Sequence, residues 1–267
     1  MIDELYKFWN ITDPVADVFT GYEDLYTEFD KHTKESYDVD PEKTIDAVFD
    51  LYRNRGIVPI VYYTHNGLVQ AIKDFKFANY NNVNDKRIGL GNNLGQTINR
   101  FVFTNMMTAE PKGRGSNSLR DRFNNDAKLK RAIRICFEFR EGNRLVYPTA
   151  LRRALELVTG ENIQNFKAQN ARAIVEHLCP VMFGNVYDYS AGYGGRVLGI
   201  ASSNMRYNYT GIDPNTETVE RLNYLQQLIQ EAIGSSSTIV QSVSEQYQPE
   251  DIDLAFSSPP YFNLEKY

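Results

Sequence analysis

Three short stretches of this chain combine residue types and spacings suited to binding and transforming a ligand. The first is Asn185-Val186-Tyr187-Asp188-Tyr189-Ser190-Ala191-Gly192-Tyr193-Gly194-Gly195-Arg196, an apolar run that ends in a carboxylate and enters a glycine-rich turn. In an α/β sheet that order makes a nucleotide pocket, because glycines permit the tight turn and a close backbone approach while the acid stands at the strand's carboxyl end. The second, residues 207–213, is another strand pattern ending in an acid, Asp213, the placement that lets a carboxylate hold ribose hydroxyls. The third, residues 251–262, is a short strand running into Ser258-Pro259-Pro260-Tyr261. The glycine turn contains no G-x-G-x-x-G and no Lys-Ser/Thr follows it, so a dinucleotide fingerprint and a P-loop are both absent and phosphate need not be the ligand.

In this order, Asp188 with its glycine turn, Asp213 and the Ser258-Pro259-Pro260-Tyr261 turn resemble the S-adenosylmethionine-dependent DNA amino-methyltransferases. In that family a turn of the form [Asp/Asn/Ser]-Pro-Pro-[Tyr/Phe/Trp] closes the fourth strand and holds an exocyclic amine. The resemblance covers the chain from Phe166 onward and none of the preceding segment. It implies a Rossmann-like methyltransferase sheet, S-adenosyl-L-methionine as cofactor, DNA as partner, and Ser258, Pro259, Pro260 and Tyr261 as the catalytic turn. The implied cofactor site comprises Phe166, Asp188, Ser190, Ala191, Gly192, Gly194, Asp213 and Glu245. Phe166 lies in an element similar to the one that packs against the methionine end of the cofactor, and it also fits a core position at a domain junction. Glu245 stands where a polar side chain would meet the adenine amine, or it is a plain surface residue. Tyr189 and Ser190 depart from the family, which often carries Pro and Phe or Cys there.

An exocyclic amine of adenine or cytosine is a poor nucleophile because its lone pair is delocalised into the ring, so it must be held with that lone pair facing the methyl donor. The Ser258 hydroxyl and the Pro259 carbonyl can accept the two amine protons, and Tyr261 or Phe262 can stack on a base taken out of the duplex. Ser is commoner at this position in the cytosine enzymes of the family, so the resemblance implies a slight lean of Ser258 toward cytosine. Methylation at carbon 5 would instead need a thiol nucleophile beside this strand, and neither Cys136 nor Cys179 is near it in sequence. Two alternatives stay open: an RNA base methyltransferase, and a catalytically inactive domain that binds cofactor or DNA without turnover.

The net charge of −5 conceals an asymmetry. Residues 1–50 carry 4 Lys/Arg against 14 Asp/Glu, residues 51–165 carry 19 against 9, and residues 166–267 carry 6 against 11. The basic middle suits a surface that tracks phosphates, with Lys112, Arg114, Arg120 and Arg122 in the loop 112–122 as DNA contacts. The alternative is that the acidic arm neutralises the basic segment within the chain. The two cysteines and three histidines are scattered, giving neither a metal spacing nor a disulfide framework. No apolar run approaches membrane-span length and the start Met-Ile-Asp-Glu is unlike a signal peptide, so a cytoplasmic location without membrane contact is expected.

These residues need elements to hold them. The patterning divides the chain into an acidic aromatic arm (1–39), a basic mixed α+β domain (40–160) and a catalytic domain (161–267). Asp40-Pro41 predicts a helix stopping at Gly56, and β-branched residues predict a strand over 57–63. A short helix over 67–77, loops over 79–99, a helix from about Leu119 and a strand over 135–139 follow. Helices over 149–158 and 164–178 lead to strand 186–189, helix 196–203, strand 207–213, helix 216–233, strand 238–243 and the strand before Ser258. That order predicts a doubly wound parallel α/β sheet with its ligand at the strand ends. A family sheet adds three more strands after the Pro-Pro turn, so with Tyr267 last, the remainder is expected in the same longer polypeptide or a second chain, or else the basic segment packs there and catalysis is lost. The 267 residues alone are expected to bind cofactor weakly and to methylate poorly or not at all.

Overall fold

The computed structural model describes residues 1–9, 27–78, 95–111, 117–139, 142, 144–159, 163–179 and 181–258. The described elements before residue 180 are all helices: α1 (Ile2–Phe8), α2 (Lys34–Val39), α3 (Pro41–Asn54), α4 (His65–Phe77), α5 (Gln96–Val102), α6 (Asn105–Thr108), α7 (Leu119–Asn124), α8 (Asp126–Glu138), α9 (Pro148–Thr159) and α10 (Ala168–Leu178). Then come β1 (Phe183–Asp188), α11 (Gly195–Ala201), β2 (Arg206–Asp213), α12 (Thr216–Ile233), β3 (Ser237–Gln241) and β4 (Leu254–Ala255).

Local chemistry sets several of these ends. The Asp40 side chain accepts from the Lys43 amide ahead of Pro41, and α3 gives way to Gly56 at φ +61°. Ser118 and Asp121 form a reciprocal capping box that starts α7 at Leu119. Asn215 caps α12, which ends on Gly234 in the left-handed region.

Two expected strands are not strands. Residues 57–63 form no ladder; Ile57 and Ile60 are buried in the core, and the Val58 amide donates to the Tyr62 hydroxyl at 3.0 Å. Residues 135–138 are instead the last turn of α8, whose buried Leu129, Ala132, Ile133, Cys136 and Phe137 recur at helical spacing. The expected mixed α+β domain is therefore helical in its described residues. The expected loop over 79–99 lies outside the described residues up to Gly95, and α5 begins immediately after it. The acidic arm is anchored by burial: Trp9 and Phe29 are in the core, and the Trp9 indole donates to the Phe101 carbonyl at 3.1 Å.

The sheet is parallel, in the order β3-β2-β1-β4. The parallel β1–β2 and β2–β3 pairs are connected through α11 and α12, and the usual right-handed crossover places both helices on one face, that of the buried Val186, Tyr207 and Tyr209. Tyr207 donates from this face to the Cys179 carbonyl at the end of α10. The opposite face carries no helix among the described residues, so the winding is one-sided there. Its Tyr187 is covered by Tyr247 from the β3–β4 connection, ring centroids 6.0 Å apart, while Phe183 stays exposed. One continuous apolar core joins the helical part to the sheet, and His65 of α4 meets Glu231 of α12 at 2.9 Å. No helix among the described residues is long and apolar enough to cross a membrane.

Candidate cofactor and substrate site

Strand order reverses direction between β1 and β4, the switch point at whose carboxyl strand ends open α/β sheets place their ligands. All three chemistry-bearing stretches meet at this point. Asp188 ends β1, Asp213 ends β2, and Phe256, Ser257 and Ser258 leave β4 beside them. The Phe256 amide donates to the Tyr187 carbonyl at 2.8 Å, extending the β1–β4 pairing toward the turn.

Asp188 is wholly buried and its oxygens are taken. Oδ2 accepts from Arg196 Nε at 2.6 Å and from the Tyr209 hydroxyl at 2.7 Å, while Oδ1 accepts from Ser257 Oγ at 2.7 Å and the Ser190 amide at 3.2 Å. The carboxylate expected to face a ligand instead fastens the glycine turn to β2, β4 and the first turn of α11. Burial and the adjoining carboxylate hold the Tyr209 hydroxyl well above its ordinary pKa, so it stays a donor.

Asp213 is different. Oδ2 accepts from the Gly192 amide at 3.0 Å and Oδ1 from the Asn215 amide at 3.0 Å, with no cation in an ion pair among the described residues. Each oxygen keeps a lone pair for a further donor. Burial raises its pKa, and the two amides oppose that rise.

The turn itself is braced from the helical part. The Tyr193 carbonyl accepts from Asn99 Nδ2 of α5 at 2.6 Å and from Asn165 Nδ2 at 2.8 Å. Gly194 has φ +76°, and a Cβ there would come within 2.7 Å of Leu225 and Phe103. Gly195 is tighter still: a Cβ would lie 1.8 Å from the Phe166 carbonyl oxygen. That close approach replaces the first turn of the helix expected over 164–178, and residues 163–167 are non-helical. Phe166 is half-buried, edge-on to Phe256 at 5.5 Å and under the Arg196 guanidinium at 5.6 Å.

Of the other expected residues, Ala191 is buried and its amide donates to the Ile212 carbonyl at 2.7 Å; Ser190 is partly exposed and its carbonyl accepts from Arg196. Glu245 is exposed in a short turn, where it accepts from Ser244 Oγ at 3.1 Å. Ser258 is half-buried; Pro259, Pro260, Tyr261 and Phe262 lie outside the described residues. Both cysteines are buried, Cys136 in α8 and Cys179 against Gly184 near the start of β1, at the opposite end of that strand from Asp188.

Sequence reasoning missed Arg196, Tyr209, Ser257, Asn99 and Asn165. One signal was present for Arg196: a cation in the first turn of a helix opposes the macrodipole and calls for a nearby carboxylate. The expected DNA contacts fare unevenly. Lys112 and Arg114 lie outside the described residues. Arg120 is partly exposed and lies over the Phe8 ring at 4.5 Å. Arg122 is a correction: it is 1% exposed, with Nε on the Asn117 carbonyl at 3.0 Å and Nη1 on the Leu155 carbonyl at 3.3 Å, so its fork is turned inward. Part of the basic segment is also met by acids within the chain, Lys130 by Asp46 at 2.6 Å, Arg134 by Glu42, and Arg53 by Asp126 at 2.9 Å.

The chain matches no protein-family model, no curated protein and no solved structure.

Proposed function

We propose that this chain binds S-adenosyl-L-methionine at the glycine turn and methylates an exocyclic amine, N4 of cytosine or N6 of adenine, in DNA. The observation that carries the reading is the bond from the Gly192 amide to Asp213 Oδ2 at 3.0 Å, which ties the turn after β1 to the acid that ends β2, beside the point where the sheet order reverses. A nucleoside cofactor fits the donor set: Asp213 has acceptor capacity for ribose hydroxyls, and Gly192, where a Cβ would meet no atom nearer than 3.9 Å, leaves the backbone open to close approach. When bound, the cofactor supplies an electrophilic methyl on a sulfonium.

Asp188 positions and does not bind. With Arg196 it forms a neutral pair, so the developing site keeps Asp213 as its acidic group. Phe166 and Phe256 form an apolar wall between the turn and β4. Ser258 offers a hydroxyl acceptor for an amine proton, and in the resemblance the Pro259 carbonyl takes the second. No shifted general base is required. The buried cysteines, one of them at the opposite end of β1, favour amine over carbon-5 chemistry.

Transfer of tritium from labelled cofactor to duplex DNA by the full-length polypeptide, followed by nucleoside mass spectrometry, tests the reading. N4-methylcytosine or N6-methyladenine is the expected product. Label on carbon 5, on RNA alone or on protein would refute it, and bound cofactor with no transfer would leave the binding-only alternative.

A further inference from the structure

Glu156 of α9 is shared by three arginines. Arg153 Nη1 lies 3.0 Å from its Oε2, while Arg100 Nη2 at 3.5 Å and Arg152 Nε at 3.6 Å reach its Oε1. Among the described residues, Glu156 is the one acidic partner these three guanidinium groups have. A fourth, Arg122, donates to the Leu155 carbonyl of the same helix. Among the described residues, Arg100, Arg152 and Arg153 outnumber the one carboxylate they share.

The excess is costly where it sits. Arg152 is 3% exposed, and among the described residues its Nε has no hydrogen-bond partner at bonding distance and its Nη1 donates to the Met107 sulfur at 3.0 Å. A buried polar group left in that state costs free energy unless something compensates it. Its pKa is pushed down to about 9, first by burial and then by Arg100. The cluster nevertheless opens outward: the side chain of Arg153 is 53% exposed, Arg100 21% and Glu156 12%. An arginine fork at the surface, backed by a second cation in low dielectric, is the arrangement that selects phosphate oxygens.

We propose that Arg100 and Arg153, with Arg152 behind them, form a phosphate-binding site that docks the DNA backbone. The proposal rests on the DNA reading above and relocates the phosphate contact from the 112–122 loop to the α5–α9 face. Arg100 follows Asn99, whose amide holds the Tyr193 carbonyl, so a phosphate on this face bears on the same short helix that braces the glycine turn.

Two probes test it, inorganic pyrophosphate by calorimetry and a short duplex by fluorescence anisotropy across a salt series. Arg153→Gln, at an exposed position, should weaken both, and the double variant Arg100→Gln/Arg153→Gln should lower the magnitude of the salt slope by about 1 to 2, at ~0.9 per phosphate contact. Glu156→Gln should act oppositely, freeing the arginines and tightening both ligands several-fold, a gain that a purely structural role for the carboxylate would not produce. Far-UV circular dichroism of each variant guards against misfolding. Pyrophosphate binding that responds to these changes, with no affinity for duplex, would keep the anion site and reject DNA as its source. Duplex binding with an unchanged slope in Arg153→Gln, and no gain in Glu156→Gln, would overturn the site while leaving the DNA reading standing.

Discussion

A single oxygen of Asp188 accepts both the Arg196 Nε at 2.6 Å and the Tyr209 hydroxyl at 2.7 Å, joining β1, α11 and β2 through one buried atom. Breaking such a pair from one side leaves an uncompensated buried charge. Arg196→Met should therefore lower the unfolding free energy by about 3–5 kcal/mol, and Tyr209→Phe by about 1.5–3 kcal/mol. Urea denaturation of both variants, of Asp188→Asn and of Asp188→Asn/Arg196→Met checks this, with the double variant expected to lose less than its own two single variants combined.

Glycines around the turn should not be equivalent. Gly195→Ala places a Cβ 1.8 Å from the Phe166 carbonyl oxygen, so α11 and the 166–168 segment must part; Gly234→Ala meets open space and costs only its positive φ. The second should cost about 1 kcal/mol or somewhat more, and the first several times that. Thermal melts of the two variants decide it, and equal losses would contradict the packing described.

Asp213 should make stability depend on acid pH in an uncommon direction. Its folded-state pKa is raised above the ordinary 3.8, first by burial, so the folded protein holds that proton more tightly than the unfolded chain does. The stability it contributes is fully present below the ordinary value and is lost as pH rises through the raised one. Relative to Asp213→Asn, the wild type should lose stability across that acid window and level off above it. Denaturant midpoints of both proteins from pH 3 upward measure the difference; a relative gain in wild-type stability over the same window would contradict a raised pKa.

Arg122 and Arg120 should differ in what they contribute to stability, and neither should carry the salt slope of duplex binding. Removing the Arg122 fork takes a donor from the buried Leu155 carbonyl and the part-buried Asn117 carbonyl, and Arg122→Gln should cost about 1–3 kcal/mol with no change in the salt slope of duplex binding. Arg120→Gln gives up a contact over Phe8, worth about 0.5–1 kcal/mol at a partly exposed site. Chemical denaturation and anisotropy on the same samples separate the two.

Much of the sheet was legible because its signals are local. Asn215 before Thr216 and Gly234 after Ile233 bound a helix whatever surrounds it, and the acid-ended strands fall where alternation and glycine place them. The helical part was less legible. Residues 57–63 are β-branched because Ile57 and Ile60 plug a core, and 135–139 look like a strand only when cut away from the helix that contains them. The site followed the same rule. Asp188, Gly192 and Asp213 could be found by position, but the role of Asp188 depends on Tyr209 and Ser257, 21 and 69 residues away in sequence, which no local pattern pairs. Arg122 was misjudged for the same reason, since its carbonyl partners include Leu155 on another helix.

The central claim is a nucleoside cofactor held at the Gly192–Asp213 junction, and calorimetric titration of S-adenosylmethionine and its demethylated product into the folded protein tests it most directly. Both should bind one-to-one, and Asp213→Ala should abolish binding while Arg120→Gln leaves it intact. A correctly folded protein that binds neither, or an Asp213→Ala variant that binds as tightly as wild type, would contradict it.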